Sequence, residues 1–568
     1  MTASDARALA NRLAQLDSDA LARLFDSRQV APQSTWSDFF DVAEALLDPA
    51  QTARAVATLS DLEAHALLTS TGGDAPVAEP VRTQLANRAL IDDEGRAYEP
   101  LRAALAEASP RPSTPLFTGG GESDEASAER AFEAAASLAD VLHSATKTPL
   151  ARIGNGALSA ADRRRLVEGG AVADAADADL LVAIADLAGL LAGGEKTWLV
   201  TDAGSAWLRT RTLERWHAVA VHLRERMPSA LRTADGGWRA PGEWATAYPY
   251  DPTWAERAAH VAAIWTSWAL VAPDGTSPSW GAGLARGGDA DVEALRALLP
   301  HEVDRVYLQN DLTAIAPGPL EPHLDMRLRT MARRESRAQA STYRFTAETV
   351  GAAFASGETA ASLTEFLTEL SLTGVPQPLA YEIERSAARH GTLRVGPDGA
   401  GSTRVTGDRD LIEALAVDQA LRSLGLILEG DALVTRSGPE TVYWMLTDAR
   451  YPVLAVGADG APRALDRHQT PTVAGPAPTA ADRYETLLGR LKTSLSGDAD
   501  AAWLERELDH AVRTRSVVVI VVRMPDGSTR EVTVEAAGLG GGRLRGRDRA
   551  ADVERTLPLS SIVSVRPA

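Results

Sequence analysis

Two stretches of this chain, residues 108–126 and 456–481, mix Pro, Gly, Ser and Thr and carry neither helical nor strand periodicity. Such segments do not run through a packed interior, because irregular backbone leaves its polar groups unpaired unless water reaches them. The 568 residues are therefore divided, and a chain of this length exceeds what one hydrophobic core organises, so roughly three to five domains are expected. We read residues 1–107 as helical or winged-helix-like, 127–215 as winged-helix-like and 216–304 as helical or winged-helix-like. Residues 305–455 read as a mixed α/β domain and 482–568 as a helix with a small β-barrel, while 108–126 and 456–481 are linkers. The expected fold class is α+β, multi-domain.

Cysteine is absent, which excludes a disulfide framework. From Met1 to Leu24 charged and apolar side chains are interspersed, with no basic stretch before an apolar run, so no secretory signal is expected. No stretch approaches the roughly 20 apolar residues of a bilayer-spanning helix. The expectation is a soluble, cytoplasmic protein with no membrane partner. A formal net charge of -19 opposes a chain that coats itself with nucleic acid, since phosphate neutralisation favours a basic surface. A local basic face is compatible with that charge.

Leu9, Leu13, Leu16, Leu21 and Leu24 open the chain with helical spacing. Thereafter one pattern recurs: a helix ends in an apolar pair, a short Gly- or Asp-rich turn follows, then a brief extended segment. It occurs at Leu90-Ile91 before Asp92 to Gly95, at Leu190-Leu191 before Gly193-Gly194, at Leu270-Val271 before Pro273 to Gly275, and at Leu426 to Leu428 before Glu429 to Asp431. Helix, tight hairpin and helix is the sequence form of a winged-helix unit. Winged helices also serve as protein-interaction modules, so fold alone leaves function open.

Catalytic constellations are missing. A P-loop needs its lysine directly after the last glycine, to reach the terminal phosphate. In Gly193-Gly194-Glu195-Lys196-Thr197 an acidic residue intervenes, and the segment reads as a turn. Asp124 and Glu125 fall in the linker, where they cannot form a nucleotide-metal box. No HExxH spacing occurs, and His217 and His222 sit on different faces of their helix. Asp174, Asp177 and Asp179 lack the glycine and distal glutamate of a calcium loop. Gly281, Gly283 and Gly287 depart from dinucleotide spacing, and the GxSxG elbow is absent. No enzymatic activity, cofactor or metal is expected.

Arg305 to Gly318 reads RVYLQNDLTAIAPG: an apolar strand, a polar break at Gln309, Asn310 and Asp311, and a second apolar run. Phe345-Thr346 and a helix to Gly357 follow, then a helix from Ser362 to Leu370, Pro376 to Leu379, a helix to His390-Gly391 and a strand from Thr392 to Val395. Over Arg305 to Pro452 this order resembles the N-terminal domain of XPB-type DNA helicases, as carried without the motor by actinobacterial helicase-associated proteins. The resemblance implies a role beside a helicase in DNA repair or transcription and no helicase activity. From about His510 the sequence turns strand-rich, with Ser516 to Arg523 and Arg530 to Ala536 as strands and Arg555 to Ile562 as a closing segment. This part is similar to the WYL domains of bacterial regulators, although Gly542-Arg543-Leu544 stands where that family has Trp-Tyr-Leu.

Three arginine clusters are candidate phosphate contacts. Arg163, Arg164 and Arg165 follow a capping-box-like Ser159 and Asp162. Arg327, Arg329, Arg333, Arg334 and Arg337 are denser; on a helix, Arg333 would share a face with Arg337, and Arg327 with Arg334. Arg543, Arg545, Arg547 and Arg549 alternate, so a strand would project them from one side. The expected function is a non-catalytic accessory protein, with DNA and an XPB-type helicase or other DNA-processing protein as partners. The alternatives are a WYL-type ligand-responsive transcriptional regulator and an interaction scaffold that binds no DNA.

Overall fold

The computed structural model describes residues 3–71, 79, 81–154, 156–336, 340–399, 401–461, 463, 465, 479–494, 499–524, 527–549 and 551–567. Most of the expected linker 456–481 lies outside the described residues. Two compact units emerge: one from Met1–Pro115, Glu243–Ala258 and Gly475–Ala568, the other from Leu116–Gly242 and Ala259–Ala474. No helix among the described residues is long and apolar enough to cross a membrane.

In the first unit the leucine spacing makes two helices, Ala3–Gln15 and Ser18–Ser27, because Asp17 is extended and its carboxylate accepts the Ala20 amide at 2.7 Å as an N-cap. Leu9, Leu13, Leu21 and Phe25 are buried together with Tyr484, Leu487, Leu488 and Leu491 of the Ala480–Ser494 helix. The Tyr484 hydroxyl donates to the Val30 carbonyl at 2.8 Å, which satisfies the polar end of an otherwise apolar insertion. The chain ends in a five-stranded antiparallel sheet ordered Val553–Pro558, Arg543–Asp548, Thr529–Gly540, Val517–Arg523 and Ile562–Pro567. Leu508 and Ala511 of the Ala499–Thr514 helix cover its inner face at Ile520, Val534 and Leu544. Among the described residues the five strands form one sheet, in which no ladder joins the edge strands Val553–Pro558 and Ile562–Pro567.

The second unit opens with the Asp124–Lys147 helix, capped by Ser123. Asp124 and Glu125 therefore occupy a helical first turn, where carboxylates oppose the positive end of the helix dipole, and not the linker to which their neighbours' composition pointed. Strands Leu150–Ile153 and Ala157–Leu158, helices Ala160–Glu168 and Ala175–Leu187, and a hairpin of Leu191–Gly193 with Thr197–Val200 follow. Gly193 to Thr197 forms the hairpin tip, the Gly194 amide donating to Thr197 O at 2.7 Å. The other recurrent turns also reverse the chain: an Ile91–Ala97 bridge, an Ala272 to Thr276 backbone bond of 2.7 Å, and the Ile427–Glu429/Ala432–Thr435 hairpin. Gly287 has φ +83°, and a Cβ there would overlap the Asp235 carbonyl, so close backbone packing accounts for it. Asp174, poorly placed for calcium, caps the Ala175–Leu187 helix by accepting from Ala176 and Asp177 amides at 2.8 and 2.9 Å. Asp174→Ala is expected to lower stability by about 1 kcal/mol, read from urea unfolding.

Further along this unit Trp216 and Trp268 are buried, and each indole donates to the other's backbone carbonyl, at 2.8 and 3.0 Å. A four-stranded sheet joins Tyr307–Leu308, Thr313–Ala316, Ser341–Arg344 and Arg333–Ser336, in that order. The polar break is its first turn: Gln309 N donates to Thr313 O at 2.9 Å and Asp311 accepts from Thr313 N at 3.2 Å. A five-stranded sheet with Leu393–Asp398 and Ser402–Gly407 at its centre completes the unit.

Candidate nucleic-acid interface

The densest arginine cluster is arranged differently from the helical reading. The Pro322–Met331 helix ends before Arg333, Ala332 is extended at φ -140° and ψ 149°, and Arg333 and Arg334 lie on the Arg333–Ser336 strand. Arg334 pairs in register with Tyr343, and this tertiary ladder outweighs the local helical tendency. Arg327 and Arg334 thus share no helical face; Arg337 lies outside the described residues.

The cluster is also held by acids that its own stretch of sequence does not contain. The Asp140 carboxylate, buried on the Asp124–Lys147 helix, accepts Arg329 at 2.7 Å and also pairs with Arg334. Asp325 lies 3.5 Å from Arg329 and 3.9 Å from Arg334, and accepts the Tyr343 hydroxyl at 2.6 Å. Burial lowers the Arg334 proton affinity, but Asp140 and Asp325 outweigh it, and the net shift is upward. Burial pushes the nearby Arg215 guanidinium down to about 10. Tyr343 is raised, by burial and then by Asp325. Arg327 forks onto Glu358 at 3.0 and 3.2 Å and stacks 4.4 Å from the centre of the Phe366 ring. Only Arg333 of the described set reaches well into solvent, at 72% side-chain exposure, beside Glu335 at 3.5 Å.

His143, one helical turn beyond Asp140, is buried with both ring nitrogens unpartnered. Burial, and then the charges of Arg329, Lys147 and Arg334, push its imidazole down to about 2. The sequence signal for Asp140 and His143 is a pair of polar residues spaced i, i+3 among Leu138, Val141 and Leu142, on a helix otherwise buried there.

In the first cluster Arg163 is paired with Asp179 at 2.8 Å and Arg165 with Asp162 at 2.7 Å. Arg164 is exposed, with no ion pair among the described residues. Three members of the third cluster lie on the Arg543–Asp548 strand, whose strict alternation exposes Arg543, Arg545 and Arg547 and buries Leu544, Gly546 and Asp548, while Arg549 falls in the turn beyond it. Arg547 is flanked across the ladders by Glu535 and Glu554 and paired with Asp552 at 2.7 Å; Arg549 is paired with Glu535 at 3.1 Å. Arg543 faces Gly540 and Pro558, and Arg545 faces Gly538 and Thr556. These two arginines have no acid opposite them and no ion pair among the described residues, and a Cβ built at either glycine meets nothing within 4 Å. The Cα atoms of Arg543 and Arg545, at i and i+2 on one strand, are about 6.6 Å apart, and both side chains emerge on the same side over an open backbone.

Among the described residues no group of His, Asp and Glu is arranged to hold a metal ion. No curated protein matches the chain. Residues 306–429, from the Tyr307–Leu308 strand through the Ile427–Glu429 strand, match the family described as helicase conserved C-terminal domain, a similarity that supports a helicase-associated protein.

Proposed function

We propose that this protein is a non-catalytic accessory factor that works beside an XPB-type helicase in DNA repair or transcription. It meets nucleic acid through Arg543 and Arg545, and its helix-hairpin units make protein contacts. The carrying observation is the division among the arginines. Near the helicase-similar segment's first hairpin Arg327, Arg329 and Arg334 are held by Glu358, Asp140 and Asp325 and Arg333 stands beside Glu335, while Arg543 and Arg545 form an adjacent pair with no acid opposite them. We read residues 305–455 as the XPB N-terminal-like domain and residues 127–215 as a winged-helix-like domain. In such a unit the helix before the hairpin enters the major groove. Here that helix, Ala175–Leu187, bears Asp177, Asp179 and Asp186 with Asp174 at its cap and no basic side chain. Phosphates repel it, which favours a protein-contact role.

The test is anisotropy of a labelled duplex over a range of salt, with the full chain and with Arg543→Ala/Arg545→Ala. Each lost phosphate contact flattens the salt dependence by about 0.7–0.9 log units per log unit of salt, and the loss is alike for many sequences because phosphate contacts carry no base information. Arg333→Ala is expected to leave binding unchanged. A wild-type chain that captures the helicase yet binds no DNA at low salt would remove the nucleic-acid contact and leave the adaptor.

A further inference from the structure

Within the first unit the Pro49–Ala57 and Glu99–Glu107 helices form the floor of a groove of about 1260 Å³, closed on one side by residues 108–112 and Tyr250. Leu47, Val56, Pro100 and Ala104 make its base apolar. Among the described residues its lining carries the acids Glu44, Asp48, Glu99 and Glu107 against one base, Arg111; Glu44 also acts electrostatically on Arg506. Asp48 also caps its helix through the Ala50 amide, and Glu99 is paired with Arg102.

The walls determine what form of chain can lie there. An extended peptide binds by adding to an exposed backbone edge, but both helices bond their own backbones. The remaining wall contains Pro110 and Pro112, which have no amide hydrogen, and the Arg111 amide already donates to Pro249 O at 2.7 Å. The groove therefore suits an element that satisfies its own backbone and brings only side chains, which is a helix. An apolar base requires an apolar stripe on that helix, and the acidic lining requires basic flanks.

We propose that this groove docks a basic amphipathic helix supplied by a partner protein. The site is separate from the arginine surface, so it stands or falls independently of nucleic-acid binding. The probe is a labelled lysine/leucine helical peptide about five turns long, compared with a lysine/serine peptide of equal charge and a glutamate/leucine peptide, all titrated with the full-length chain. Ala53 and Ala103 line the groove and are exposed, so Ala53→Trp/Ala103→Trp fills it without changing charge. The expected result is binding of the lysine/leucine peptide alone, weakened about tenfold or more in the filled variant. Glu99→Gln/Glu107→Gln, a second variant at exposed positions, is expected to weaken binding severalfold and flatten its salt dependence. Equal affinity of the filled variant and wild type, or equal binding of the lysine/serine peptide, overturns the proposal. So does an affinity indifferent to the two glutamates, which keeps the question decidable should the filled variant fail to fold.

Discussion

Replacing Asp140 with alanine is expected to lower the stability of the second unit by about 3–5 kcal/mol, one of the largest single-residue effects in the chain. The substitution removes the carboxylate that meets both Arg329 and Arg334, whose side chains are 13% and 15% exposed. Among the described residues two guanidinium groups would then be buried with Asp325 alone, at 3.5 and 3.9 Å, to offset them. The cost arises from breaking the pair and not from any net worth of ion pairs in a protein interior. Replacing the whole cluster by apolar residues, Asp140→Leu with Arg329→Met and Arg334→Met, is accordingly expected to recover most of the loss. Urea unfolding followed by tryptophan fluorescence measures both variants. An Asp140→Ala loss below about 1 kcal/mol would show that the arginines swing out to solvent and that the buried network is not structural.

The second large effect is a dependence of stability on pH that originates at His143. Its imidazole, faced by Arg329, Arg334 and Lys147 and set one turn from Asp140, is held down to about 2, against an ordinary value of 6.5. The folded state thus binds fewer protons than the unfolded state between these limits. Its contribution is fully present above about pH 6.5 and is lost as pH falls, at a slope of up to about 1.4 kcal/mol per pH unit for one proton. His143→Leu, which also removes two unpartnered buried nitrogens, is expected to be at least as stable as wild type at pH 7.5 and to lose less stability by pH 5.5. Denaturation series at several pH values test this. Parallel wild-type and variant curves would place the acid sensitivity elsewhere.

The two effects share a cause that local sequence conceals. The helical reading of 327–337 failed at Ala332 because the following residues pair with Ser341–Arg344, and ladder pairing between strands is not encoded in the periodicity of either. Likewise the composition around Asp124 and Glu125 reads as a linker, whereas Ser123 supplies a cap that starts a helix there. Other features were legible because they are local. The polar break after Leu308 is a turn because Asp311 can take the place of a backbone acceptor for Thr313. The four apolar-pair turns all reverse the chain, with positive φ at Gly95, Gly275 and Gly430.

The sequence by itself determined that Arg543, Arg545 and Arg547 would emerge from one side of a strand, since alternation of side chains is a property of the extended backbone. It also determined the cap at Ser159 and the places where the chain turns after its apolar pairs. Only the tertiary structure decided which arginines remain unpaired. Arg329 and Arg334 meet Asp140 across 189 and 194 residues, and an ion pair of that kind depends on separations of a few ångströms that exist only once the chain has folded.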